Sequence, residues 1–324
     1  MKTRMRVLLL GAVALLAAAC GSTPDAAPFR LPVENRLPVG ATVLNAAPNQ
    51  RADQSCDPTA SLRPGAQPQP GALPAGSTMA KIVAGGALRV GVDQNQFLFG
   101  YRNPATGEIE GFDIDLAHEI ARDLFGDPAK IELKPIESAN RAKALVDNQV
   151  DIVVQNFTPT CARRQDVEFS SVYFETDQRV LVTKTSGIHS AADLGGKKVC
   201  GIPNSTTLDA VFALPDSQRP TVIGIQNWLD CLTALQQGEV DAASTDLPLL
   251  YGLKIQDPNL EVVGGPMAQD FYAVGIQKQN TDLVRFVNGV LDRVRADGTW
   301  QRIYNQRLSV MGPSNGPPAP KYKD

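Results

Sequence analysis

The chain has 324 residues, with 31 Lys and Arg against 34 Asp and Glu and a formal net charge of −3. After the first few residues there is no dense Lys/Arg run, which excludes nucleic acid as a partner, since that would require a basic stripe. Net charge is silent on which small ligand binds.

Lys2, Arg4 and Arg6 precede an uncharged apolar run from Val7 to Ala18, shorter than the roughly 20 residues that cross a bilayer. A basic head, a short apolar run and the small residues Ala17-Ala18-Ala19 before Cys20 predict an export signal over 1–19. Cys20 is then expected to carry lipid, with Ala17 standing where a lipobox usually has Leu. Cleavage there removes three cations and no acids, leaving a net charge of −6. No later stretch is long and apolar enough to span a membrane, so the rest is expected to be soluble. Residues 20–80 are rich in Pro, Ala and Gly without periodic apolar positions, and predict a lipid-anchored flexible tether.

From Ala87 the texture changes. Leu88 to Asp93 alternates as a strand does. Ile114 to Phe125 places apolar residues on one helical face, with Asp113 as expected N-cap and Gly126 as stop. Strands alternating with helices imply an α/β fold with mostly parallel sheets. The body is large for one core, so two lobes are expected.

Ala144–Asn156 and Ala234–Asp246, at a constant offset of 90 positions, share Ala, Leu, Val and Asp. Each reads as a helix end, a Val-Asp pair, a short apolar strand and then a polar residue. Ligands of open α/β sheets bind beyond the carboxyl ends of strands, which is where Asp93, Asn156 and Asp246 are expected. Arg179–Lys184 and Tyr272–Lys278 read as connectors between lobes. The expected division is 81–182 with 273–311 as one lobe, 183–272 as the other, and a disordered Pro-rich tail over 312–324.

With Cys20 lipidated, Cys56, Cys161, Cys200 and Cys231 remain, an even number in an oxidising compartment. Three pairings are possible. Cys200 at a strand end and Cys231 at a helix start are expected to pair, which leaves Cys56 with Cys161. His118 and His189 are far apart and no Cys pair has ligand spacing, so no metal or other cofactor is expected. His118 is expected on the wet side of its helix.

Gly111-Phe112-Asp113-Ile114-Asp115-Leu116 resembles the G-F-D-x-D-L signature of the polar amino-acid-binding proteins of ABC importers, the family 3 extracellular solute-binding proteins. Thr158-Pro159-Thr160-Cys161-Ala162-Arg163-Arg164, followed by Phe169-Ser170, is similar to that family's T-x-T-x-x-R…F-S segment. Cys200–Thr207 and Val240–Asp246 are similar to its second-lobe pattern, and the likeness spans about residues 87–308. The Ala-rich signal and tether look, more loosely, like those of an actinobacterial glutamine- or glutamate-binding lipoprotein. The resemblance implies a two-lobed periplasmic-binding-protein fold of type II, with the ligand between lobes joined by two hinge strands. Cys200 and Cys231 match a disulfide of Gram-positive members. The resemblance makes Arg163 the α-carboxylate clamp and Asp246 the ammonium acceptor.

The chemistry agrees, because a buried zwitterion needs both charges met. Arg163 offers a planar fork; Thr158 adds a hydroxyl and an N–H; Ser205, Thr206 and Thr207 offer hydroxyls and N–H groups at a helix start. Arg164 is the better candidate than Arg163 for an ion pair with Asp166 or Glu168. Asp246 also precedes Leu247-Pro248 and could cap a helix. Asp93, Gln96, Phe99, Gln155 and Asn156 are the expected side-chain lining. A cation for an acidic ligand could come from Arg102 or Lys184, and Phe99 or Tyr101 could cover the ligand's stem. Glutamine, glutamate, asparagine and aspartate all remain open as ligands. No nucleophile–base pair is evident and Asp93 is the one candidate acid or base, so binding without catalysis is expected. The expected partners are the amino acid, the membrane through the lipid, and an ABC permease or, alternatively, a membrane receptor that senses the liganded form. The chain is expected to be a monomer on the outer face of the cytoplasmic membrane.

Overall fold

A computed structural model describes residues 37–48 and 51–324. The export signal over 1–19 and the lipidation site Cys20 lie outside the described residues. Among those described, no helix is long and apolar enough to cross a membrane.

Strand β1 (Thr42–Leu44) comes first, then helix α1 (Thr78–Ala84), whose N-terminus the Ser77 hydroxyl caps by accepting from the Ala80 N–H. The alternating stretch forms β2 (Leu88–Val92), and a small antiparallel ribbon follows as β3 (Asn95–Gln96), β4 (Gly100–Arg102) and β5 (Ile109–Glu110). Helix α2 (Phe112–Phe125) starts two residues before the predicted Ile114. Gly111 explains this. At φ +144° a Cβ would stand 2.2 Å from the Phe99 carbonyl oxygen, so only glycine permits the close approach. The Phe112 and Asp113 N–H groups then donate to the Leu98 and Phe99 carbonyls, satisfying first-turn donors with backbone. Asp113 is therefore not the N-cap, and its carboxylate is free for other work. Gly126, at φ +74°, ends the helix in the left-handed conformation. His118 is half-buried with Nδ1 2.7 Å from the Pro128 carbonyl rather than on a wet face.

Strand β6 (Ile131–Pro135), helix α3 (Arg141–Val146), β7 (Ile152–Val153) and β8 (Val167–Phe169) continue the first half. Then come β9 (Phe174–Thr183), β10 (Lys198–Gly201), α4 (Thr207–Phe212), β11 (Thr221–Gly224), α5 (Trp228–Gln236), β12 (Ala242–Asp246), α6 (Leu247–Gln256) and β13 (Leu260–Tyr272). The chain ends in β14 (Gly275–Gln277) and helices α7 (Thr281–Ala296) and α8 (Thr299–Arg307).

One sheet has the order β6-β2-β7-β14-β8 and the other β1-β11-β10-β12-β9-β13. Within them β2 runs parallel to β6 and β7, and β10 parallel to β11 and β12, as strand–helix–strand crossovers require. The chain passes between sheets at 170–173 and again at 273–274. The first crossing thus precedes β9, earlier than the 182/183 boundary expected from sequence, because β9 and β13 pair with each other along nearly their whole length. At the crossings Phe99, Phe112, Tyr173, Phe174, Tyr272 and Trp300 form a buried aromatic cluster, with Phe174 and Tyr272 stacked at 5.7 Å.

From residue 37 onward the flexible tether expected over 20–80 is not one. β1 pairs with β11 at a sheet edge, Cys56 is bonded to Cys161, and Arg164 donates to the Pro58 and Ala60 carbonyls. The tail over 312–324 is likewise held rather than disordered: Tyr322 OH donates to Asp292, Arg285 pairs with Asp324, and Ser61 exchanges backbone hydrogen bonds with Lys321 and Lys323. A Pro-rich stretch without periodicity builds no element of its own, yet its backbone groups can be satisfied by partners far away in sequence. The second disulfide joins Cys200 to Cys231.

Candidate functional site

The ends of β7 and β12, the two echoed units, face each other. Asn156 just beyond β7 and Asp246 at the end of β12 line one small cavity with Gln96, Thr158, Ser205, Thr206 and Thr207. Its volume is about 30 Å³, room for some two waters. A groove of about 510 Å³ elsewhere, between α1, β2 and β14, is larger. Its Arg89 and Asp151 already pair with each other at 2.6 Å, so it makes no comparable demand for a ligand.

The small cavity does make one. Gln96 Oε1, both amide atoms of Asn156, and Asp246 Oδ1 are buried without a hydrogen-bond partner, and each belongs to a lining residue. Such atoms cost about 1–3 kcal/mol each when left unpaired.

Each is held in place from behind. Asn156 sits at φ +44°, its N–H donating to Asp113 Oδ2 at 2.9 Å and its carbonyl accepting from Arg141 at 3.0 Å. The Gly111 turn that freed the Asp113 carboxylate thus serves the cavity wall. Burial pushes the Asp113 carboxyl up to about 7, against hydrogen bonds from Tyr173 and from the Asn156 N–H. Asp246 Oδ2 accepts from Tyr272 OH at 2.8 Å, and its side chain makes no capping bond although it is the N-cap of α6. Burial, and then the charge of Asp270, hold its carboxyl well above the usual range.

Thr158 and Thr206 meet across the lobes, with 3.1 Å between their hydroxyl oxygens. Ser205 and Thr207 share a hydrogen bond, and the Thr207 N–H donates back to Ser205 Oγ, so that N–H at the start of α4 is already used.

Four expected lining residues stand outside the cavity. Phe99 is fully buried in the aromatic cluster. Asp93 accepts from the Asn95 N–H and from Gln155, and Gln155 also donates to the Ile136 carbonyl, so each occupies the other behind the wall. Burial raises the Asp93 carboxyl. Arg163 donates to the Thr158 carbonyl at 2.8 Å and, across the lobes, to the Asn204 carbonyl at 3.1 Å. Burial first, then the charge of Arg141, holds its guanidinium well below its ordinary value. Arg164 pairs with Glu168.

The cations expected from Arg102 and Lys184 are elsewhere: Arg102 binds Gln94 and the Gly107 carbonyl, and Lys184 is exposed. Arg141, unmarked by sequence reading, lines the cavity instead. Its Nε and one amino group donate to the carbonyls of Ser138, Gln155 and Asn156. Arg141 and Arg163 both approach the Phe157 ring, at 4.6 and 5.0 Å, and among the described residues neither has a carboxylate in contact. Trp228 and Leu249 add apolar wall, where Phe99 or Tyr101 was expected. The position of Arg141, at the start of a helix and three residues before the apolar pair Ala144-Leu145, carries no signal of its own.

Residues 88–309 match the bacterial extracellular solute-binding proteins, family 3. The chain belongs to that family. It is 35% identical over 230 residues to the ABC transporter glutamine-binding protein GlnH of Bacillus subtilis, covering 71% of this chain and 84% of the relative. It is 30% identical over 239 residues to the glutamate-binding protein GluB of Corynebacterium glutamicum, covering 70% and 80%. Among solved structures it resembles the solute receptor for L-cysteine of Neisseria gonorrhoeae, with TM-score 0.67, 30% identity, and 72% and 94% of the two chains covered. This family 3 chain has the two-lobed, type II periplasmic-binding-protein fold, and its cavity lies where the lobes meet.

Proposed function

We propose that this protein captures a polar α-amino acid (glutamine, glutamate, asparagine or aspartate) by lobe closure and delivers it to an ABC importer. One observation carries the reading: a buried carboxylate oxygen of Asp246 and the buried guanidinium of Arg141 line one small cavity without an ion pair between them, and the buried guanidinium of Arg163 lies beside its Thr158 wall, held by the Thr158 and Asn204 carbonyls. A zwitterion complements that arrangement, and buried charges of this kind are stable only when matched. The ammonium goes to Asp246. The α-carboxylate goes to Arg163, whose fork exchanges the Thr158 and Asn204 carbonyls for it as the lobes part and re-close. The ligand's side chain meets Gln96, Asn156 and Arg141, a set suited to an amide or carboxylate end, with Trp228 and Leu249 on its stem. Names of the relatives, glutamine- and glutamate-binding, fit that choice.

The cavity as it stands, about 30 Å³, is too small for an amino acid, so binding is coupled to opening. The chain acts as a monomer held to the outer face of the cytoplasmic membrane by lipid on Cys20, and it leaves its ligand chemically unchanged. A thermal-shift screen of the twenty amino acids tests the reading. At about 100 times Kd a true ligand adds about 2.7 kcal/mol of stability. If no polar amino acid raises the melting temperature, the reading is wrong.

A further inference from the structure

The family match begins at residue 88, but the cavity wall is also braced by residue 51. Arg51 donates through one amino group to Asp270 Oδ2 at 2.6 Å and through the other to the Gln269 carbonyl at 3.1 Å, while its N–H donates to Asp209 at 2.9 Å. Asp270 is fully buried, and the same Oδ2 accepts from Thr206 Oγ1 at 3.2 Å. Thr206 lines the cavity and meets Thr158 of the other lobe. Arg51 is fixed on both sides in sequence. Upstream, β1 extends the second-lobe sheet at β11; downstream, Cys56 is bonded to Cys161 of the first lobe. Residues 42–48, joined to one lobe through β1, and residues 51–60, bonded to the other through Cys56, therefore form a strap that touches both lobes and sends one cation to the cavity's back wall.

We propose that Arg51 is a positioning residue of the ligand site: by pairing with Asp270 it holds Thr206 against Thr158 and keeps the Asp270 carboxylate from competing with Asp246 for the ligand's ammonium. The inference rests on Asp246 as the ammonium acceptor. The groups bearing on Asp246 are Asp270 and Tyr272 from β13, Arg51 from the strap and Arg141 from α3. Burial and the charge of Asp270 raise its carboxyl, while the Tyr272 hydroxyl, Arg51 and Arg141 lower it. Without Arg51 the balance moves toward the protonated acid, which cannot receive an ammonium. Binding then weakens most at low pH and recovers as pH rises.

The test is calorimetric titration of the full chain with glutamine and with glutamate from about pH 5.5 to about pH 8.5, for wild type, Arg51→Gln, Arg51→Lys and Arg51→Gln/Asp270→Asn. Arg51→Gln is expected to move the pH of half-maximal affinity upward by about one unit, with about tenfold weaker binding near pH 6 and a far smaller loss near pH 8.5. Adding Asp270→Asn returns the midpoint toward wild type, and Arg51→Lys keeps it. An Arg51→Gln protein with wild-type affinity at every pH, or with a loss that does not depend on pH, overturns the inference, since a merely structural strap predicts one or the other. Should Arg51→Gln fail to fold, a displaced midpoint in Arg51→Lys overturns it equally. Wild type that binds no amino acid overturns the proposed function, and this inference with it; a binding wild type with an unmoved variant midpoint overturns the inference alone.

Discussion

Tyr173 and Tyr272 lie side by side at the two crossings between the lobes, ring centroids 6.3 Å apart, and their hydroxyls serve opposite walls of the cavity. Tyr173 donates to Asp113 Oδ1 at 2.8 Å beneath Asn156, and Tyr272 donates to Asp246 Oδ2 at 2.8 Å. The segments on which the lobes pivot thus hold the binding groups. Tyr272→Phe removes the hydroxyl that favours the ionised Asp246 and leaves the ring stack. Ligand affinity is expected to fall about tenfold, the worth of one hydrogen bond to a charged group, as read by calorimetry. An unchanged affinity would detach Tyr272 from the site.

Asp246→Asn retains an oxygen for Tyr272 but loses the charge. Affinity for every amino acid is expected to fall by about 2–5 kcal/mol, the cost of removing one partner of a buried charge pair. The melting temperature of the free protein should stay the same or rise, because a strained buried acid is gone. Loss confined to one ligand would mean Asp246 reads the side chain instead of the ammonium.

Arg141 is the cation nearest the expected side-chain end. Arg141→Gln should weaken glutamate binding more than glutamine binding, by about tenfold in the ratio, because only the acid loses a charge partner. Some stability goes too, since three carbonyls lose a donor. A ratio that does not move in a folded variant would exclude Arg141 from selectivity.

Asp113 makes stability depend on pH. Its folded-state carboxyl is raised from 3.8 to about 7 by burial, so its contribution is fully present below the lower value and is lost as pH rises through the upper one. Compared with Asp113→Asn, wild type should therefore lose stability between about pH 4 and about pH 7, and the difference in melting temperature should level off above that. Parallel melting curves at all pH values would refute the assignment.

The Cys56–Cys161 bond closes a separation of 105 residues and pins the strap to the segment that carries Arg163. Cys56→Ser/Cys161→Ser should lower unfolding free energy by about 3–5 kcal/mol in denaturant titration, the range expected for so long a loop. A change below about 1 kcal/mol would mean that the strap's other contacts hold it alone.

Much was open to reading in one dimension. The alternation at Leu88–Asp93, the helical face after Asp113 and the 90-position echo are local or nearly local patterns, set by periods of 2 and 3.6 that the core imposes on any chain. They located the strand ends at Asn156 and Asp246, because a strand's end marks where side chains leave the sheet. The early start of α2 was not visible, since it depends on a backbone contact between Gly111 and Phe99. The burial of Phe99 away from the cavity and the place of Arg141 on it share a reason for being hidden: an aromatic or a basic residue carries no mark of which side of the wall it faces.

Composition, motif order and cysteine parity by themselves determined the family, the α/β class and the pair of strand ends that frame the site, all properties of residue type and spacing. Only the tertiary structure decided that Arg141 faces the cavity, that Asp93 and Gln155 occupy each other behind it, and that residues 42–48 and 51–60 reach the two lobes and lend Arg51 to Asp270. Those facts rest on contacts between residues as much as 219 positions apart, where the energy of pairing one buried charge outweighs any local preference.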